Sequence, residues 1–264
     1  MYDPVRWMML LTAGLFSIGA VLMWAGSRHV TAAIRRLRWI KFGTYAVIVW
    51  TILGLAALES RWPLILLMVA IAVLGGGELS MALGRIRFPR LRWVWMVYAF
   101  SAAGLIRVAV GWYPGPHADF MWLFIVTAVF DSFSQLAGQW WGRTRILPEV
   151  SPGKTVAGLV GGSAMVIAVN LLMGVCSPTP HDEPGTSIHW SSALPMLPWV
   201  LAYSMPVCLP ALAGDLGASW VKRRCGIKDF GNLLPGHGGV LDRFDSLLGT
   251  ALCFALYTTV RLGR

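Results

Sequence analysis

Long apolar stretches alternate along the chain with short polar ones, and this rhythm sets the architecture. Apolar runs lie near 7–27, 43–59, 62–84, 93–111, 118–141, 156–176, 193–221 and 239–260, separated by clusters of charges, glycines and prolines. A helix of roughly 17–25 apolar residues crosses a bilayer. With no water to satisfy the backbone there, such runs imply helices. The fourth run contains Arg107 and is the least clear of them. The seventh is long and holds Pro195, Pro198, Pro206 and Pro210, which predicts a kinked helix or a helix preceded by a re-entrant piece. The expected fold is all-α: a polytopic integral membrane protein of about eight transmembrane helices, or nine if the seventh run divides.

Composition agrees. The 264 residues are 56% hydrophobic and 13% charged, against about a quarter charged in an ordinary soluble domain. The net charge of +10 would suit nucleic acid, but its distribution excludes that partner. The basic residues gather at Arg28–Lys41, Arg85–Arg92, Arg143–Lys154 and Lys222–Lys228, after alternate runs. The segment 177–190 has no Lys or Arg and carries Asp182 and Glu183. The positive-inside rule then places the basic loops in the cytoplasm and both termini outside. The first run lacks a basic leader and reads as a retained helix. Cys176, Cys208, Cys225 and Cys253 have no metal-binding or disulfide spacing.

Ionisable residues inside membrane spans are costly and mark candidate sites. Here they are Glu78, Arg107, Asp131, Asp215, Asp242 and Asp245. On a helix Asp215, Ser219 and Lys222 share a face, as do Asp242 and Asp245. Asp215 lies roughly 10 Å inside Lys222, and Asp245 roughly 10 Å inside Gly238, at 1.5 Å per residue. The two segments run antiparallel, so three carboxylates are expected at one depth near the cytoplasmic surface. They cannot all stay ionised without cations. Arg243 could neutralise one, and a hard divalent cation such as Mg²⁺ the others. Lys222, Arg223, Lys228 and His237, with the backbone of Gly236, Gly238 and Gly239 at a helix start, suit an anion such as phosphate. The competing reading is a set of anchoring salt bridges, such as Asp242 with Arg243 or Lys222. A second block, SPGKTVAGLVGG (151–162), lacks the glycine a P-loop needs, because Pro148 stands there. It reads as a turn delivering Lys154 and Thr155 to a helix N-terminus, where they would contact an anion.

Ser219, Lys222-Arg223, Lys228-Asp229 and LPGHGGVLDRFD (234–245) together resemble the signature of the CDP-diacylglycerol synthase (phosphatidate cytidylyltransferase) family. Ser151–Gly158 is similar to a second motif of that family. Asp131 and Gly142-Arg143 fit a third, in which Ser134-Gln135 departs from the usual Ala-Tyr. The resemblance covers about residues 120–260. It implies transfer of CMP from CTP to phosphatidate, giving CDP-diacylglycerol and pyrophosphate. It also implies Mg²⁺ (with a monovalent cation such as K⁺ as a further candidate) and a homodimer in the bacterial inner membrane, with the site facing the cytoplasm. Asp215, Asp242 and Asp245, with Asp131, are then expected at the metal. Lys154, Thr155, Ser219, Lys222, Arg223, Lys228, His237, Gly238, Gly239 and Arg243 are expected around the phosphates. Residues 1–115 are expected to pack, and to hold lipid tails, beside a catalytic region at 116–264. Two alternatives stay open: cytidylyl transfer to another lipid phosphate, and a cation or proton transporter using the intramembrane acids.

Overall fold

The computed structural model describes residues 4–28, 30–85, 92–110, 118–175, 193–234 and 238–262. Eight helices form among them: α1 Pro4–Gly26, α2 Ala32–Ala56, α3 Trp62–Leu83, α4 Arg92–Val110, α5 Ala118–Trp141, α6 Val156–Val175, α7 Ala193–Arg224 and α8 Leu241–Leu262. The first seven are long and apolar enough to cross a membrane. The eighth opens on Asp242, Arg243 and Asp245 and becomes apolar after them. The architecture is that of an all-α polytopic membrane protein.

Two expectations change in detail. The seventh run is one helix of 32 residues, continuous through Pro198, Pro206 and Pro210, so no re-entrant piece precedes it among the described residues. The second helix begins at Ala32 rather than near residue 43. Its first turns carry the exposed Arg35, Arg36, Arg38 and Lys41, because Lys and Arg are good helix formers and the helix continues past the apolar zone. Arg38 donates to the Gly26 carbonyl at 3.0 Å, covering one of the unpaired oxygens at the end of α1.

The core centres on α5, whose Phe120, Met121, Leu123, Val126 and Phe130 are fully buried. This helix packs along α6, while α8 packs against α7 and α4. By contrast Trp7, Trp24, Trp50 and Trp62 of the first three helices face outward, as side chains facing lipid do. The α5–α6 crossing is close. A Cβ on Gly158 would stand 2.6 Å from the Ser134 carbonyl oxygen, and one on Gly162 would stand 2.9 Å from that of Phe130. Small residues at such crossings let membrane helices approach.

Between α5 and α6 lies a hairpin, β1 Arg145–Leu147 and β2 Ser151–Thr155, with Arg145 opposite Thr155 and Leu147 opposite Ser151. The expected Ser-Pro turn is therefore a strand. Cys208, Cys225 and Cys253 are unpaired thiols, and Cys176 lies outside the described residues, as does the segment 177–190.

Candidate active site

Lys154 is the penultimate residue of β2, and α6 starts directly after Thr155. The Thr155 hydroxyl caps α6 by accepting the Gly158 N–H at 3.1 Å, while the Val156 N–H donates to the Thr144 carbonyl at 2.9 Å. The backbone that follows Lys154 is thus held at Thr155 and at Val156. The Lys154 ammonium is ion-paired to Asp215 of α7 and lies within electrostatic reach of Asp131 of α5 and Asp245 of α8. Burial alone would lower the Lys154 pKa, but Asp215, then Asp131 and Asp245, together hold it above the ordinary value.

The three acids are brought together by helix contacts. Gly214, next to Asp215, faces the Asp245 carbonyl. A Cβ there would meet that oxygen, the Asp245 carbonyl carbon at 3.1 Å and the Gly249 Cα at 3.2 Å. Only backbone without side chains lets α7 and α8 touch at this point. Asp131 is set by α8 from the other side: the Ser246 hydroxyl donates to its Oδ1 at 3.0 Å. One turn deeper the Thr127 and Thr250 hydroxyls pair at 3.2 Å. The Ser219 hydroxyl donates to Asp215 Oδ1 at 3.4 Å, as the shared helix face predicts.

Asp242 belongs to a second cluster. Its Oδ1 accepts Lys222 Nζ at 2.7 Å, and its Oδ2 accepts the Phe230 N–H at 2.7 Å and the Gly239 N–H at 3.0 Å. Both oxygens are committed to holding the 225–239 loop against the start of α8. Asp242 and Lys222, expected at metal and phosphate, form an ion pair with each other in this structure. The helix N-terminus is also taken. Val240 N–H donates to Glu78 Oε1 at 2.9 Å and Leu241 N–H to Oε2 at 2.8 Å. At this helix end, where a phosphate is expected on Gly238 and Gly239, a carboxylate from α3 accepts the Val240 and Leu241 N–H groups. Gly238 has φ +82°, a left-handed conformation that glycine accepts without strain.

The remaining cations lie outside these clusters. Arg223 is exposed and its Nε donates to the Val150 carbonyl at 3.3 Å, tying the hairpin to the end of α7. Lys228 is exposed. Arg243 is exposed too, within electrostatic reach of Asp131. His237 and Gly236 lie outside the described residues. Ser134, in the departing Ser134-Gln135 pair, is buried at the α5–α6 crossing, where a small residue is what the packing requires. Arg107 sits in the last turn of α4 rather than at depth. Sequence reasoning missed Ser246 and the Gly214–Gly249 contact. For the glycines a signal existed, since Gly214 precedes Asp215 and Gly249 lies one helical turn beyond Asp245.

Among the described residues, no three His, Cys, Asp or Glu side chains stand close enough to hold an ion. The Lys154 ammonium pairs with Asp215 and lies within electrostatic reach of Asp131 and Asp245. As a donor set these three acids are hard oxygen ligands of the kind magnesium takes.

The profile of the cytidylyltransferase family matches residues 4–261. The chain is 34% identical over 163 residues to the uncharacterized protein YnbB of Escherichia coli (strain K12), covering 61% of this chain and 50% of that protein. It is 33% identical over 165 residues to the phosphatidate cytidylyltransferase of Brucella abortus biovar 1 (strain 9-941), covering 62% and 56%. It is 36% identical over 133 residues to that of Rickettsia felis (strain ATCC VR-1525 / URRWXCal2), covering 50% and 54%. The alignments span about half the length of these curated relatives. Since the match takes in α1 through most of α8, including both clusters around Lys154 and Asp242, this chain belongs to the cytidylyltransferase family.

Proposed function

We propose that this chain transfers CMP from CTP to phosphatidate within the membrane, giving CDP-diacylglycerol and pyrophosphate. The observation that supports this most is the Lys154 ammonium, paired with Asp215 and within electrostatic reach of Asp131 and Asp245. Family membership and relatives named phosphatidate cytidylyltransferase add to it. A lipid phosphate stays in the bilayer while the nucleotide arrives from water, so a site at the boundary suits both. In the reaction a phosphatidate oxygen bonds to the α-phosphorus of CTP, and the bond from that phosphorus to the bridging oxygen of the β-phosphate breaks. Lys154 is placed to neutralise a phosphate when its ion pair with Asp215 exchanges for one with substrate. Arg223, Lys228 and Arg243, all exposed, draw the triphosphate in. Asp131, Asp215 and Asp245 would hold Mg²⁺, which supplies neutralisation of charge on the transferred and leaving phosphates. Asp242 and Lys222 hold the loop that carries Lys228. An inner-membrane location with the site facing the cytoplasm, and a homodimer, complete the proposal.

Transport of cations or protons draws no support from this arrangement, because the acids share one lysine at one end of the bundle instead of spacing across it. The test is CTP-dependent pyrophosphate release by purified protein, with phosphatidate, a polyprenyl phosphate and an ether-lipid phosphate in parallel. Release with phosphatidate far above the others is expected. A preference for another lipid phosphate would move the substrate, and no release with any of them would sink the reading.

A further inference from the structure

Glu78 of α3 is 2% exposed, and nothing in the transfer chemistry above uses it. Its carboxylate accepts the N–H groups of Val240 and Leu241. These are among the first N–H groups of α8, which no helix can satisfy internally, and the helix dipole favours a negative charge there. The loop is shaped around that carboxylate. A Cβ on Gly239 would stand 2.7 Å from Glu78 Cδ, and one on Gly231 would stand 3.0 Å from it. Asp242 takes the Gly239 and Phe230 N–H groups beside it. Two acids from different helices thus satisfy four buried donors around the start of α8.

We propose that Glu78 is a positioning residue, fastening the first turn of α8 to α3 and thereby setting where Asp245 meets Lys154 and Asp215. This rests on the transfer reading. Asp245 lies four residues beyond Leu241, roughly 6 Å along the helix. The deeper part of α8 is held independently, by Thr127–Thr250, by Ser246–Asp131 and by the Gly214–Gly249 contact. Removing the Glu78 carboxylate strands two buried donors but leaves those contacts in place. The helix therefore stays docked while its first turn loosens, and Asp245, which lies at the edge between the loosened and the held part, loses one side of its support.

The test uses the full chain in lipid vesicles, with Glu78→Gln and Glu78→Ala, reading kcat and KM for CTP per folded molecule. Hydrogen exchange over 239–248 is followed alongside. Glu78→Ala is expected to lower kcat about 100-fold, the cost of a misplacement near 1 Å, while KM moves by less than about threefold. Exchange over 239–245 rises and that over 118–141 holds. Glu78→Gln keeps one acceptor and the same size, so it falls between wild type and Ala on both readouts. Normal kcat in Glu78→Ala overturns the proposal. So does a lower kcat without faster exchange in the first turn of α8, and so does loss of folded protein in both variants. No turnover in the unsubstituted protein overturns the transfer reading; the exchange arm then still decides whether Glu78 fastens α8.

Discussion

A methyl group at Gly214 probes how Asp215 and Asp245 are brought together. In an open stretch of helix, Gly→Ala stabilises by about 1 kcal/mol. At Gly214 the new Cβ faces backbone, with the Asp245 carbonyl carbon at 3.1 Å and the Gly249 Cα at 3.2 Å. Carbon atoms prefer about 3.5–4.0 Å, so α7 and α8 must part by roughly 0.5–1 Å. Overpacking of this kind costs about 1–3 kcal/mol, which outweighs the propensity gain. The separation acts directly on the pair of acids, and turnover should fall about 10- to 100-fold. Gly217 provides the control on the same helix: a Cβ there meets nothing within 4 Å. Gly217→Ala should therefore be as stable as wild type or more so, with normal turnover. Pyrophosphate release and thermal unfolding in detergent, measured on both variants, decide the matter. If Gly214→Ala proves as stable and as active as Gly217→Ala, the close crossing does not set the site.

Other outcomes follow from the two clusters. Asp131→Asn, Asp215→Asn and Asp245→Asn should each lower turnover at least about tenfold, with partial recovery of at least one on raising Mg²⁺. Asp242→Asn should instead lose roughly 1–3 kcal/mol of stability, read by thermal unfolding, and full turnover in all of the first three would defeat the proposed roles. Lys154→Ala should cost about tenfold or more in turnover with protein level unchanged. Because the folded-state pKa of Lys154 is raised, the stability it contributes is fully present below the ordinary value of 10.5 and is lost as pH rises through the raised one. Lys154→Met should remove that alkaline step from the unfolding profile. A cysteine placed at Ser187 should react with a membrane-impermeant reagent on intact cells and one at Asn232 should not; the reverse pattern would invert the orientation.

Hydrophobic patterning located every helix, because a run that must be satisfied in lipid has few other options. It placed the start of α2 wrongly, since hydropathy reports where lipid ends and α2 does not end there. The hairpin was not legible, for strands of 3 and 5 residues carry too little period to read. Motif residues were found but not their grouping. Asp242 and Asp245 differ by three positions, about 60° on a helical wheel. Asp242 stands where the Phe230 and Gly239 N–H groups draw its carboxylate back toward the loop, while Asp245 looks across to α7. The site therefore takes Asp131 as its third acid, and Asp242 joins Lys222. The partnership of Glu78 with Val240 spans 162 positions, and no window along the chain could contain it.

That span also has a consequence for how the protein is made. The ribosome completes α3 long before it reaches α8, and at about 5–20 residues per second the gap of 162 positions lasts roughly 8–30 s. During that interval Glu78 is an acid in an apolar helix without the amides that later receive it, a liability of up to about 3 kcal/mol on insertion scales. The nascent amino-terminal bundle is thus left incomplete by one hydrogen-bonded group, which closes only when the final helix docks. A chain that stalls or is cut before α8 keeps that acid without the amides that would receive it.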